Sequence, residues 1–177
     1  MVVQSMDTHA LEEHRRLKNE FFASAGQSPI RDEDRNSFAG LAYYDPNPEL
    51  VYSVTPDRAD PMAVAIGTTT GSERTYTRVA TATVTVAGVD LTLGLFSTGH
   101  PGLFLPFRDS TSGTDTYGAG RYLDLEMSED GSVTIDFNYA YAPFCAYNDT
   151  YSCALPPTEN WLDVPIEAGE RLPPRKA

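Results

Sequence analysis

The chain has 177 residues, a length that suits a single domain with a sizeable core. Hydrophobic residues make up 41% of it, which is well above the range of disordered chains. It contains no run of 18 apolar residues, and no basic and apolar leader at its start. We therefore expect neither a transmembrane helix nor a secretion signal, and we predict a cytoplasmic protein.

The charge is strongly acidic. The formal net charge is −12, from 25 acidic and 13 basic residues, and only Lys18 and Lys176 are lysines. A charge of this sign repels nucleic acid and anionic membranes, so we expect neither as a partner. An acid-rich surface with few lysines indicates a halophilic protein, adapted to high salt, because salt screens the self-repulsion of such a surface. An ordinary acidic protein is the alternative.

An amphipathic helix is predicted over residues 8–24. Asp7 or Thr8 suits the N-cap, and Gly26 suits the end of the helix. The apolar positions between them approximate one face of a helix: Ala10, Leu11, Leu17, Phe21 and Phe22. We expect this face to pack on a sheet, with the docking of a partner as the alternative.

The rest of the chain, residues 38–170, is predicted to be β-rich, with a tail over 171–177. Strands are expected at 50–54 and 62–69, with a break between them at 55–61, and a last short strand at 162–166. Residues 1–177 would then form one mainly β (α+β) domain. Its sheet would be a bent antiparallel sheet or a β-barrel-like domain behind the N-terminal helix.

Two hairpins can be assigned a register from alternation alone. In the first, a two-residue loop at Ala87-Gly88 puts Val86 opposite Val89, and every apolar residue then falls on one face. In the second, a three-residue loop over 129–131 puts Met127 opposite Val133, with Gly131 in the left-handed conformation.

Continuing the second register places Asp124 directly opposite Asp136. Opposed carboxylates repel each other, so this pair requires solvent and salt, a shared proton, a cation or an arginine.

Several spaced motifs resemble a family of bacterial and archaeal proteins, the domain of unknown function 1684. They include L-F-L-P-F-R-D at 103–109, T-Y-G-A-G-R-Y-L-D at 116–124 and A-G-E at 168–170. Further matching stretches lie at 38–41, 111–113, 136–138, 140–141, 143–147, 155–157 and 159–160, and at Cys153. Ala142 stands where the family usually has Asn, and Ala154 where it has Pro. The resemblance covers nearly the whole chain, as expected for a haloarchaeal-type member, but it implies no particular activity.

Polar and aromatic side chains crowd together between Pro106 and Asn160. We predict that a pocket between the 103–122 segment and the 138–160 loop binds a small polar or anionic molecule, with arginines supplying the charge. The candidate ligand-binding residues are Arg108, Asp109, Tyr117, Arg121, Asn138, Tyr141, Tyr147, Glu159 and Asn160. The same side chains could instead clamp long loops, in a structural or protein-interaction domain.

An enzyme on the same site is a further alternative. Asp124 and Asp136 could act as acid and base or hold a divalent metal through oxygen ligands, in a hydrolase-like or metal-assisted reaction. Cys145 could act as a nucleophile. With Cys153 it forms a pair that suits buried thiols or a structural disulfide, and less well a metal site or redox chemistry. No other cofactor is indicated.

Overall fold

The structure is a computed structural model that describes residues 6–172. One helix, α1, spans Thr8–Ser24. The strands are β1 (Ala42–Tyr43), β2 (Val51–Val54), β3 (Asp57–Gly67), β4 (Glu73–Val86), β5 (Val89–Ser97), β6 (Leu103–Phe107), β7 (Arg121–Leu125), β8 (Val133–Asp136) and β9 (Glu170–Arg171). Short 3-10 helices lie at Arg35–Ser37, Pro48–Leu50, Phe137–Tyr139, Phe144–Ala146 and Thr158–Asn160. The predicted tail falls mostly outside the described residues.

The helix has the predicted bounds. Asp7 is its N-cap and accepts a hydrogen bond from the backbone N–H of Ala10 at 3.0 Å. Within α1 only Leu11 and Phe22 are buried, whereas Leu17 remains 50% exposed. The apolar stripe is therefore only partly covered by the body of the protein. No helix among residues 6–172 is long and apolar enough to cross a membrane.

Five antiparallel strands form the main sheet, in the order β3-β4-β5-β6-β7, and β2–β8 and β1–β9 form two smaller pairs. The β4–β5 hairpin has the predicted register, with Val86 opposite Val89. Its two loop residues, Ala87 and Gly88, have φ values of 50° and 80°, which the two-residue turn requires. Within the described residues the main sheet does not close on itself, so the bent open sheet is the architecture observed.

Strand β3 begins earlier than predicted. The expected break at 55–61 is present but is limited to residues 55–56, because Asp57 and Arg58 already pair with β4. A shift of register between Arg58 and Met62 takes Pro61 out of the ladder, and β3 lies at the edge of its sheet, where a proline is tolerated.

The second hairpin has the predicted loop but not the predicted strands. Met127 pairs with Val133, and Gly131 has a φ of 83°. Beyond the loop the strands separate, because β7 pairs with β6 while β8 pairs with β2. Asp124 therefore lies opposite Phe104, and Asp136 opposite Val51, so the predicted opposition of the two carboxylates is wrong.

The core lies between one face of the main sheet and the β2–β8 pair. Leu93, Leu105 and Leu123 point into it from the sheet, and Ile135 faces them from β8. The other face of the sheet carries a smaller apolar cluster with Phe104 and Tyr122, which alternate with the inward residues. The loop that follows β8 covers this second face and brings its aromatic side chains beside β7.

Residues 162–166 do not form the predicted last strand. Their side chains alternate between buried and exposed as a strand would. Their backbone pairs only briefly with the residues after β6, where Leu162 N–H donates to the Arg108 carbonyl at 2.8 Å and the Val164 carbonyl accepts from Ser110 N–H at 3.2 Å, and this pairing does not reach Ile166. Instead the N–H of Ile166 donates to the Asp109 carboxylate at 2.8 Å, and the Ile166 carbonyl accepts from Arg121 at 2.8 Å. Two side chains thus replace part of a strand ladder.

Candidate functional site

Arg121 and Asp109 hold the C-terminal segment in place. The Arg121 side chain is fully buried and donates to the carbonyls of Ile166, Ala168 and Glu170. Asp109 lies 3.4 Å from it and accepts from Ile166 N–H. Burial lowers the pKa of Arg121, and the Asp109 carboxylate opposes that shift. Both side chains therefore bind the chain itself.

Two asparagines act in the same way. Asn160 is fully buried, accepts from Gly94 N–H at 2.7 Å and donates to the carbonyls of Gly94 and Pro106 at 2.9 and 2.8 Å. Asn138 accepts from Asn47 N–H at 2.7 Å and donates to the Asn47 carbonyl at 2.9 Å. Each amide bridges backbone segments that are distant in sequence.

Other predicted ligand-binding residues are scattered. Arg108 lies over the Trp161 ring, 4.8 Å from its centroid. Glu159 pairs with Arg78 at 2.6 Å. Tyr117 donates to the carbonyl of Cys145 at 3.5 Å. The structure does not bring these three side chains into a common site with Arg121.

The predicted catalytic residues are also apart. Asp136 accepts from the N–H and the side-chain amide of Asn138 at 2.9 and 2.8 Å and so caps the 3-10 helix Phe137–Tyr139. Asp124 is exposed and accepts from the Tyr141 hydroxyl at 2.7 Å. Among residues 6–172 no group of three or more His, Cys, Asp or Glu side chains comes together.

Cys145 and Cys153 are both free thiols, and they lie side by side. Burial raises the pKa of Cys153 to about 11, and the neighbouring Cys145 contributes to the shift. A raised pKa suppresses the thiolate at neutral pH, and the thiolate is the reactive form.

A cavity of about 410 Å³ lies between α1 and the body of the protein. Most of its lining is apolar and comes from both sides: Phe21, Phe22, Leu123, Tyr139 and Phe144. Four further side chains bring polar groups to it: His14, Lys18, Asp124 and Tyr141. Tyr141 and Phe144 separate it from a smaller cavity of about 300 Å³ that reaches Tyr122 and Cys153.

One wall of the larger cavity is fixed by a buried ion pair. Lys18 Nζ lies 2.7 Å from the Glu170 carboxylate, whose side chain is fully buried. The Tyr147 hydroxyl donates to the other carboxylate oxygen, and burial together with Glu170 raises the pKa of Tyr147. The Lys18 ammonium also lies over the rings of Tyr141 and Phe22, at 4.8 and 5.5 Å from their centroids.

The mouth of the cavity carries Asp124 and His14. The Tyr141–Asp124 hydrogen bond orients the phenol, and burial, followed by Asp124, raises the pKa of Tyr141. His14 meets the Tyr139 ring edge-on at 5.0 Å between centroids. Burial, followed by Lys18 and Arg15, lowers the pKa of His14, so the imidazole is neutral at pH 7.

The prediction from sequence found part of this site. Tyr141, Tyr147 and Asp124 were candidates, whereas His14, Lys18 and Glu170 were not. Two signals were present, since Lys18 is one of two lysines and Glu170 ends the A-G-E motif. Their pairing joins positions 152 residues apart, which no local spacing reveals.

Comparison with known proteins now gives the relationship. Residues 36–171 match the family described as "Protein of unknown function (DUF1684)". The chain belongs to this family. A solution NMR structure of an uncharacterised protein from Haloarcula marismortui is similar, with 38% identity, 96% of each chain covered and a TM-score of 0.73. No curated protein matches.

This family is the one predicted from the motifs, and a relative comes from a haloarchaeon. The halophilic character of this chain remains a prediction.

Proposed function

We propose that the cavity between α1 and the 139–144 segment binds a small organic molecule with an apolar body and a polar end. The observation that carries the proposal is the composition of the lining, with aromatic and aliphatic walls and a few polar groups at one side. Ligand sites commonly have this composition, and a volume of 410 Å³ lies within their usual range of about 300–1,000 Å³.

The polar groups of the cavity are held before any ligand arrives. Glu170 fixes the Lys18 ammonium, and Asp124 fixes the Tyr141 hydroxyl. A site whose groups are already ordered loses less conformational entropy on binding. An ammonium has three donors, so Lys18 keeps donors beyond the one that Glu170 uses.

The proposed site differs from the predicted one in its walls. It shares the 139–144 part of the predicted loop, but α1 replaces the 103–122 segment as the opposite wall. Arg121 and Asn138 are left out of the proposal, because their hydrogen bonds go to the chain. Given the net charge of −12, we continue to expect neither nucleic acid nor an anionic membrane as a partner.

The test is a titration of the full chain with small aromatic compounds, followed by NMR of the resonances of Leu123, one of the residues that line the cavity. Bound compounds should shift these resonances and leave those of Leu91 unchanged. They should also raise the melting temperature, because a ligand that binds only the folded state stabilises it by mass action.

Two matched variants on α1 sharpen the test. Phe21→Ala removes an apolar wall and should weaken binding about three- to tenfold. Leu17→Ala removes an exposed leucine of the same helix that does not line the cavity, and it should bind as the wild type does. Equal binding by both variants, or no shift of Leu123 with any compound, would refute the proposal.

A further inference from the structure

The charges at the cavity do not cancel. Lys18 is matched by Glu170 at 2.7 Å, so this pair contributes no net charge. Arg15, the next cation along α1, is directed elsewhere: it donates to the Tyr44 carbonyl at 3.0 Å and lies over the Tyr43 ring. The charge left at the cavity is the carboxylate of Asp124.

Asp124 has capacity for a further partner. One of its oxygens, Oδ2, accepts from Tyr141 at 2.7 Å. Among residues 6–172 its Oδ1 has no hydrogen-bond partner, and no arginine, lysine or histidine forms an ion pair with Asp124. The side chain is exposed at the mouth, so a group inside the cavity can reach this oxygen without displacing a protein contact.

The aromatic walls suit a positive charge. The Lys18 ammonium already lies over the faces of Tyr141 and Phe22, which shows that these rings accept a cation. Tyr139, Phe21 and Phe144 present further rings to the same cavity. A cation over an aromatic face is stabilised by the ring quadrupole, and aromatic cages bind ammonium groups in this way.

An anion would be held less well. It would face the unmatched Asp124 carboxylate, and the charge of Lys18 is already balanced by Glu170. The net charge of −12 also repels anions and attracts cations as they approach.

We infer that the polar end of the ligand is an ammonium group, which pairs with Asp124 while the apolar body lies between α1 and Tyr139. This inference rests on the proposed function and assigns a chemical class to its ligand. It replaces the anion predicted from Arg108 and Arg121, because neither arginine lines the cavity.

Three probes of similar size share one aromatic ring and differ in the charge of their polar group: benzylamine, benzyl alcohol and benzoate. They separate the contribution of the charge from that of the apolar body. Binding to the full chain is measured from the Leu123 chemical shifts at pH 7, at ionic strengths of about 0.15 M and about 1 M. Benzylamine should bind tightest, and its affinity should fall with salt because the pair with exposed Asp124 is screened. The affinity of benzyl alcohol should not change with salt.

Asp124→Asn tests the partner. The asparagine oxygen can still accept from Tyr141, so the wall is kept while the charge is lost. The affinity for benzylamine should fall about three- to tenfold, and that for benzyl alcohol should not change. The control is Asp90→Asn, because Asp90 is also exposed and accepts from a hydroxyl at 2.7 Å, on β5 and away from the cavity.

The outcomes separate the two proposals. If the probes occupy the cavity without preference for the amine, or if benzoate binds tightest, the ammonium inference is wrong and the binding site stands. The inference also fails if Asp124→Asn changes the affinity of all three probes equally. If no probe shifts Leu123 at millimolar concentration, both the inference and the proposed function are wrong.

Discussion

Replacing Glu170 with glutamine should destabilise the protein strongly. The substitution keeps the size of the side chain but leaves the Lys18 ammonium without its counter-ion. It also turns an amide N–H₂ towards either Lys18 or Tyr147, the two groups that donate to the Glu170 carboxylate. Breaking a buried ion pair in this way costs about 3–5 kcal/mol. Lys18 retains 17% exposure and can extend its ammonium towards water, so we expect the lower end, about 3 kcal/mol.

A loss of about 3 kcal/mol is a large part of the 5–15 kcal/mol that typically stabilises a domain. For a chain of this length it corresponds to a melting temperature lower by about 6–12 °C. The assay is urea unfolding in concentrated KCl, followed by circular dichroism, with the midpoint and the slope fitted separately. Trp161 fluorescence is a poor probe here, because the indole is already 51% exposed in the folded state.

The matched control is Glu20→Gln on α1. Glu20 also pairs with an α1 cation, Arg16, but this pair is exposed to solvent and should contribute little. If Glu170→Gln unfolds at the same urea concentration as Glu20→Gln, the importance assigned to the buried pair is wrong. Lys18→Met should cost more than Glu170→Gln, because it leaves a fully buried carboxylate without a cation, and the double variant should cost less than the sum.

Four further results are expected. Stability should fall as the pH rises above about 10, since burial and Glu170 raise the pKa of Tyr147 in the folded state and the unfolded chain releases that proton first; melting between pH 8 and 12 checks this, and Tyr147→Phe should reduce the fall. Asn160→Ala should cost about 2–3 kcal/mol in urea unfolding without changing probe binding, because buried backbone groups of Gly94 lose their partner. Ellman's reagent should titrate Cys145 and Cys153 slowly in the folded protein and completely in denaturant; no thiols in denaturant would indicate a disulfide. The melting temperature should rise between dilute buffer and molar KCl, and an unchanged value would contradict the predicted adaptation to salt.

Local signals predicted the local structure well. Helix α1 has its predicted bounds because a capping aspartate and a 3.6-residue apolar period act over a single helix. The β4–β5 register was also predictable, since a two-residue loop and the parity of Val86 and Val89 allow one pairing only.

Strand partners were less predictable. Alternation shows which face of β7 and β8 is buried, and Leu123 and Ile135 do face one core. It does not show whether two such strands lie side by side or face each other across that core. The second arrangement is the one observed, and it separates Asp124 from Asp136.

The candidate site was only partly predictable for a related reason. A conspicuous arginine can bind a ligand or backbone carbonyls, and the sequence looks the same in both cases. Arg121 and Asp109 bind the segment 162–168, which has the alternation of a strand but pairs with the residues after β6 only as far as Val164. The backbone of this segment needs hydrogen-bond partners only because of the tertiary fold. The motif 103–109 therefore indicated a structural clamp as strongly as it indicated a ligand-binding site.

Helix α1 contributes both to the stability of the protein and to the proposed binding site. The family match begins at residue 36, whereas α1 ends at Ser24. Glu170 lies within the matched region, yet its cation comes from Lys18 outside it. A carboxylate buried beside Tyr147 alone would be costly, so a relative that buries this glutamate needs a cation from another segment. Because α1 supplies that cation and one wall of the cavity, a change that detaches α1 should lower stability and ligand affinity together. A change at Asp124 should affect affinity alone.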